Sequence, residues 1–169
     1  MGGVLVGGAA RDARAQLLPI RLKVGVVNLT DSKAKTLGGT PLFTGEADIV
    51  LPGVLTGGQT FLTAGYQERK SNGNDLRVIP LTICRTTSLP NPAAAVTGSV
   101  YYGAGFGLYN MRAKQLGVTQ TKTSLGGFAV IGYQLPFIGI FAEAKYQTVS
   151  GSIAGAHPNG ILLLIGKHL

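Results

Sequence analysis

The stretch SVYYGAGFGLYNMRA, Ser99 to Ala113, divides by parity. Val100, Tyr102, Ala104, Phe106 and Leu108 fall on one face of a strand, and Tyr101, Gly103, Gly105, Gly107 and Tyr109 on the other. If the apolar face lines a core, the water-facing surface is made of glycine and bare aromatic rings. If it points outward, the surrounding solvent is hydrocarbon.

Composition favours the second choice. Charged residues make up 13% of the 169, about half the roughly 25% usual in soluble domains, and the 26 glycines are about twice the usual share. The mean hydropathy of +0.28 suits a membrane protein, yet the sequence has no apolar run of the 18 or more residues that a spanning helix requires. A closed barrel of alternating strands reconciles the two. The length fits one domain.

Reading for a period of two gives eight strands, at about 20–29, 42–51, 59–68, 76–86, 99–112, 122–135, 139–149 and 160–169. Each is long enough for the roughly 9–11 residues with which a tilted strand crosses a bilayer. No amphipathic helix competes with them. Their order predicts an all-β fold, an eight-stranded antiparallel up-and-down transmembrane β-barrel. The connections after the second, fourth and sixth strands contain PGVLTGG, LPNPAAAVTG and LPFIG, without charge. Those after the first, third, fifth and seventh are TDSKAKTLGG, ERKSNGND, AKQLGVTQ and SGSIAGAHPN, polar and in three cases basic. Uncharged turns at one end and longer polar loops at the other match the asymmetry of outer-membrane barrels.

The first strand sets Ile20, Leu22, Val24 and Val26 against Arg21, Lys23 and Gly25. The second sets Phe43, Ala47 and Ile49 against Thr44, Glu46 and Asp48, and the seventh sets Ile140, Ala142, Ala144 and Tyr146 against Glu143, Lys145 and Gln147. Such alternation fits either orientation. The fifth and sixth strands decide it, because a face of Gly103, Gly105, Gly107, Gly126 and Gly132 makes a poor water surface and a good lumen wall. An eight-stranded barrel is just wide enough for side chains to fill it, so these glycines are expected to give room to long charged residues opposite. Arg21, Lys23, Glu46, Asp48, Glu143 and Lys145 then form a lumen network of three bases and three acids. Reading Glu143 and Glu46 as a paired-carboxylate active site is the weaker alternative, since neighbouring bases turn carboxylates into ion pairs.

The fourth strand carries Ile79, Leu81 and Ile83 on the outward parity, with Arg77 and Arg85 at its ends to reach head groups. Pro80 is expected to mark a bulge. Tyr133, Phe137 and Tyr146 lie near strand ends, where interfacial aromatics belong. Residues 1–15, MGGVLVGGAARDARA, read either as a residual signal peptide, with a small-x-small site at Ala13-Arg14-Ala15, or as a disordered leader. The barrel domain is then 16–169.

In this order the segments resemble the small outer-membrane β-barrels of Gram-negative bacteria, the OmpA-like, OmpX-like and OmpW-like barrels. The carriers are LRVIPLTI (76–83), VYYGAGFGLY (100–109), SLGGFAVIGYQL (124–135), FAEAKYQTVSG (141–151) and GILLLIGKHL (160–169). The resemblance implies eight antiparallel strands in the bacterial outer membrane, both termini in the periplasm, and a lumen too filled for free diffusion. Family members usually end in an aromatic residue that the barrel-assembly machinery reads during insertion. Here Leu169 stands at that place, with Lys167 where an apolar residue is expected.

These readings lead to a non-enzymatic barrel with a structural or surface-interaction role. Lys33, Lys35, Arg69, Lys70, Arg112, Lys114 and Lys122 are loop bases that would contact membrane lipid and lipopolysaccharide phosphates, or else are simply solvated. A soluble lipocalin-like barrel around a small hydrophobic ligand is the first alternative, and a small-conductance pore the second. Catalysis has little to stand on. His157 and His168 are the only histidines, there is no G-x-S-x-G elbow, and Cys84 is a small filler rather than a nucleophile. No cofactor and no metal is implied. The net charge of +8 is dispersed, with no zinc-finger spacing or RNA-binding motif, so nucleic acid is not an expected partner.

Overall fold

β-Branched and aromatic residues alternating with small or polar ones leave each strand with one face that needs an apolar neighbour, and closure removes the unpaired edges. The computed structural model describes residues 19–51, 58–71, 73–136 and 138–169. Its strands are β1 (Ile20–Leu29), β2 (Leu42–Leu51), β3 (Gln59–Ser71), β4 (Asn74–Ser88), β5 (Ser99–Gln115), β6 (Val118–Gln134), β7 (Ile140–Val149) and β8 (Gly160–His168). They form one closed barrel in sequence order, each antiparallel to its neighbours, with β8 pairing back onto β1. The expected leader, 1–15, the PGVLTGG segment up to Gly57, and Phe137 lie outside the described residues.

Parity sorts inside from outside all the way round. On β5, Tyr102, Phe106 and Leu108 point outward and are exposed, Phe106 at 68%, whereas Tyr101 and Tyr109 are buried inside. On β1, Leu22 and Val24 are exposed, and Arg21 and Lys23, at 4% and 3%, are buried. The same inversion holds on β8, with Ile161, Leu163 and Ile165 outside and Leu162 and Leu164 inside. This overturns the lipocalin-like alternative: the apolar row 100–108 does not line an interior.

Three local expectations need correction. The polar segments after β3 and β5 are not long loops. Their ladders continue upward to the pairs Ser71–Asn74 and Gln115–Val118, with tight turns in which Gly73, Leu116 and Gly117 have positive φ. The first polar connection contains a short helix, α1 (Ser32–Gly38), started by Asp31, whose side chain accepts a hydrogen bond from the Ala34 amide at 2.8 Å. Its Ala34 and Leu37 are buried. Pro80 makes no bulge, because the β4–β5 register runs unbroken through Pro80–Tyr109 and the β3–β4 register is the same on both sides of the gap at Gly65 and Tyr66. Its missing N–H simply leaves the ladder unpaired there.

The loop end of the tube is closed by an apolar cluster. Val27, Leu29, Leu42, Leu76, Val78, Met111 and Val149 meet Leu37 of α1 and Ile153 and Ala156 of the last loop. That loop is fastened by the mutual Ile153–Ala156 backbone hydrogen bonds, by Gln147 donating to the Pro158 carbonyl at 2.9 Å, and by the Val149 amide donating to Asn159 Oδ1 at 2.7 Å. At the other end, α2 (Ala94–Thr97) sits in the connection between β4 and β5.

Candidate functional site: the charged lumen and the basic rim

The alternation of β1, β2 and β7 places all six expected lumen charges inside, each at most 7% exposed. Arg21 bridges Asp48 at 2.9 Å and also reaches Glu143. Lys23 sits among three carboxylates, 2.7 Å from Glu46, 3.0 Å from Asp48 and 3.2 Å from Glu143. Lys145 pairs with Glu46 and lies 3.8 Å from Glu143. Thr63 donates to Asp48 at 2.7 Å and Tyr101 to Glu143 at 2.8 Å. Every acid therefore has at least two bases or donors, which is the condition under which buried charges are tolerated. Such saturated carboxylates are poorly disposed to act as acid–base catalysts.

The glycines act differently from expectation. An added Cβ at Gly132 would strike the Tyr101 ring, at Gly105 the Phe128 ring, and at Gly126 the Tyr109 ring. At Gly103 and Gly107 it would strike the β4 backbone at Arg85 and Leu81. Tyr101–Gly132, Gly105–Phe128 and Phe141–Gly166 are directly opposed cross-strand pairs. The bare backbone thus receives aromatic rings, and the rings receive the charges. The Arg21 guanidinium lies 4.2 Å from the Phe61 ring centre and 4.4 Å from that of Phe141, and the Lys145 ammonium 4.7 Å from that of Phe128. These rings were visible in the sequence. Pairing each with the glycine opposite it required the register.

Above the network Gln67 donates to Gln147 at 3.0 Å. A void of about 10 Å³, bordered by Glu46, Thr82, Tyr109 and Lys145, is about the size of one water molecule. Cys84 is buried beside Phe128 and Val130. His168 faces the Phe141 ring edge-on at 5.1 Å between centres, and His157 lies in the last loop, so the two histidines are at opposite ends of β8. Among the described residues no group of three His, Cys, Asp or Glu side chains is placed to hold a metal.

Of the seven bases expected in loops, Arg69, Lys70, Arg112, Lys114 and Lys122 lie on strands, because the hairpin ladders run on past the apolar band, and the seven do not form one patch. Lys33 and Lys35 are exposed on α1. Arg69 is a clamp, donating to the Pro41 carbonyl at 2.6 Å. Lys122, opposite Met111, lies on the inward parity of β6. Lys70, Arg112 and Lys114 do gather, on the outward face of the extended hairpins, and they are joined by Arg77. Arg77 stands between Arg112 on one side and Glu68 on the other, Asp75 stands between Lys70 and Lys114, and Lys70 also lies 3.6 Å from Glu68. Arg112 Nε is buried without a hydrogen-bond partner among the described residues. On β4, Arg77 and Arg85 bracket Ile79, Leu81 and Ile83, a span of roughly 20 Å along the barrel axis for a tilted strand.

No protein-family model matches the sequence, and no curated protein does. Solved structures do match. Neisserial surface protein A (NspA) superposes with a TM-score of 0.60 at 13% identity, over 90% of this chain and 94% of that one. The N-terminal β-barrel domain of Pseudomonas aeruginosa OprF gives 0.57 at 15%, over 89% and 97%. The Yersinia pestis outer membrane protein Ail, solved in a phospholipid bilayer nanodisc, gives 0.55 at 12%, over 90% and 99%. With apolar residues outside, charges inside and eight strands closed in sequence order, this chain has the fold of the small eight-stranded outer-membrane β-barrels.

Proposed function

We propose that this chain is a non-enzymatic outer-membrane protein with a structural or surface-interaction role, its termini in the periplasm and its hairpins outside. The observation that carries the reading is the inversion of polarity: large aliphatic and aromatic side chains cover the outer wall while six charges are buried and paired within. A wall of that kind is stable only against hydrocarbon. Delivery by the barrel-assembly machinery belongs to the same reading. The paired lumen and the apolar cap at the loop end favour a plugged tube over a pore, since opening it would strand buried charges.

The outward bases at the loop end supply the surface chemistry. Two arginines directly opposite each other on a ladder repel, and the acid beside them, Glu68 opposite Arg77, is shared with Lys70. A phosphate between them lowers that cost by accepting from both guanidinium groups. Their position just beyond the apolar band suits the phosphates of lipopolysaccharide or another anionic outer-leaflet lipid.

Membrane fractionation, combined with gel mobility of the folded protein boiled against unboiled, tests the reading. It expects membrane localisation and a heat-dependent shift. A detergent-free monomer in the soluble fraction with no shift would overturn it.

A further inference from the structure

The outer wall is not evenly filled. On β7 the outward residues Ala142 and Ala144 are only methyls, and the strands on either side stand higher. Tyr133 and Ile131 of β6 oppose Ala142 and Ala144 on one side, and Ile165 and Leu163 of β8 oppose them on the other. The result is an apolar groove of about 570 Å³. It is followed by a second hollow of about 340 Å³ over Ala129 and Ala144. Each lies within the ~300–1,000 Å³ range of small-molecule sites.

One cation stands at the turn end of this groove. Lys167 is outward and exposed, two residues beyond Ile165 on β8 and so about 7 Å farther along the strand. Its cross-strand neighbours are Leu22 and Ile140, both apolar, and no ion pair engages it among the described residues. An ammonium between apolar strand neighbours, at the mouth of an apolar groove, complements one kind of molecule. The Tyr133 hydroxyl beside the groove is already used, donating to the Thr97 carbonyl.

We infer that the β7 groove and Lys167 form a phospholipid site: one acyl chain lies over Ala142 and Ala144, and the phosphate rests on Lys167. The lipid belongs to the leaflet on the turn side, where Lys167 sits. A second copy of the chain fits less well. Two copies in one membrane share an orientation, so a two-fold contact through this face sets Lys167 against Lys167. The inference rests on the lipid-facing reading above.

The test is native mass spectrometry of protein folded into phosphatidylethanolamine and phosphatidylglycerol vesicles, then extracted in mild non-ionic detergent. The parent is expected to keep one phospholipid. Ala144→Phe fills the groove and Lys167→Gln removes the cation, and each should lower retention about tenfold, whereas Leu62→Phe on the far wall should leave it unchanged. Retention in both groove variants equal to the parent overturns the site. So does a lipid-free parent dimer that Ala144→Phe converts to monomer, because the face is then a protein interface. Heat-dependent mobility is read on every sample. Its loss in the parent would count against the membrane reading itself, whereas its presence without lipid retention counts only against this site.

Discussion

Replacing Glu143 with glutamine keeps the volume of the side chain and removes one of three buried negative charges. In the parent, Arg21, Lys23 and Lys145 face Glu46, Asp48 and Glu143, and Glu143 contacts all three bases. After Glu143→Gln three bases share two acids, and one positive charge stays buried without a counter-charge. Breaking a buried pair on one side costs about 3–5 kcal/mol. Lys145→Gln should cost a similar amount by leaving Glu46 to Lys23 alone. The double variant, with two bases and two acids, should recover part of the loss, giving a coupling of about 1–3 kcal/mol. Unfolding in urea, in lipid vesicles, can be followed by the fraction of protein that keeps its folded mobility on unboiled gels. A Glu143→Gln variant within about 0.5 kcal/mol of the parent, the range of ordinary surface substitutions, would rule out an unscreened buried network. It would mean that water reaches and screens these charges.

Other expectations follow from the same structure. Gly132→Val drives a side chain into the Tyr101 ring and should destabilise the barrel by about 1–3 kcal/mol in the same urea titration, without changing membrane localisation. Phe106→Arg places a charge near the middle of the outer wall and should cost about 2–4 kcal/mol, read as a lower folded fraction after refolding into vesicles. Arg77→Gln combined with Arg112→Gln should weaken binding of lipopolysaccharide micelles and reduce the salt dependence of that binding, whereas Lys35→Gln on α1 should change it little. Asp31→Ala removes the cap of α1 and should cost about 1 kcal/mol, seen as faster proteolysis within 30–39.

The barrel was legible in the sequence where hydrophobic parity operates. The predicted 20–29 and 42–51 coincide with β1 and β2, because there the apolar alternation and the hydrogen-bonded ladder end together. They part company on β3 to β6. Apolar alternation stops near the edge of the outer band, but the ladder needs only backbone, so residues such as Lys70, Lys114 and Thr121 continue the hairpins as polar strands. The Asn72-Gly73 dipeptide is a strong hairpin signal that the run of charges around it obscured. Helix α1 escaped because seven residues are too few to show a period, although Asp31 followed by Ala34 and Leu37 was a readable start and face. The six lumen charges could be grouped from parity alone. Their partners could not, since the contact of Arg21 with Glu143 depends on how β7 reaches β1 across the interior.

Everything above depends on the row Tyr102, Phe106 and Leu108 facing lipid. The most direct measurement attaches nitroxide labels singly at these positions and at Ile79 and Leu81, in a Cys84→Ser background, with the protein in lipid vesicles. Collision with oxygen, which partitions into hydrocarbon, is then compared with collision with a water-soluble nickel complex. Oxygen is expected to dominate at all five positions. Labels that collide mainly with the nickel complex, or that are shielded from both, would contradict it.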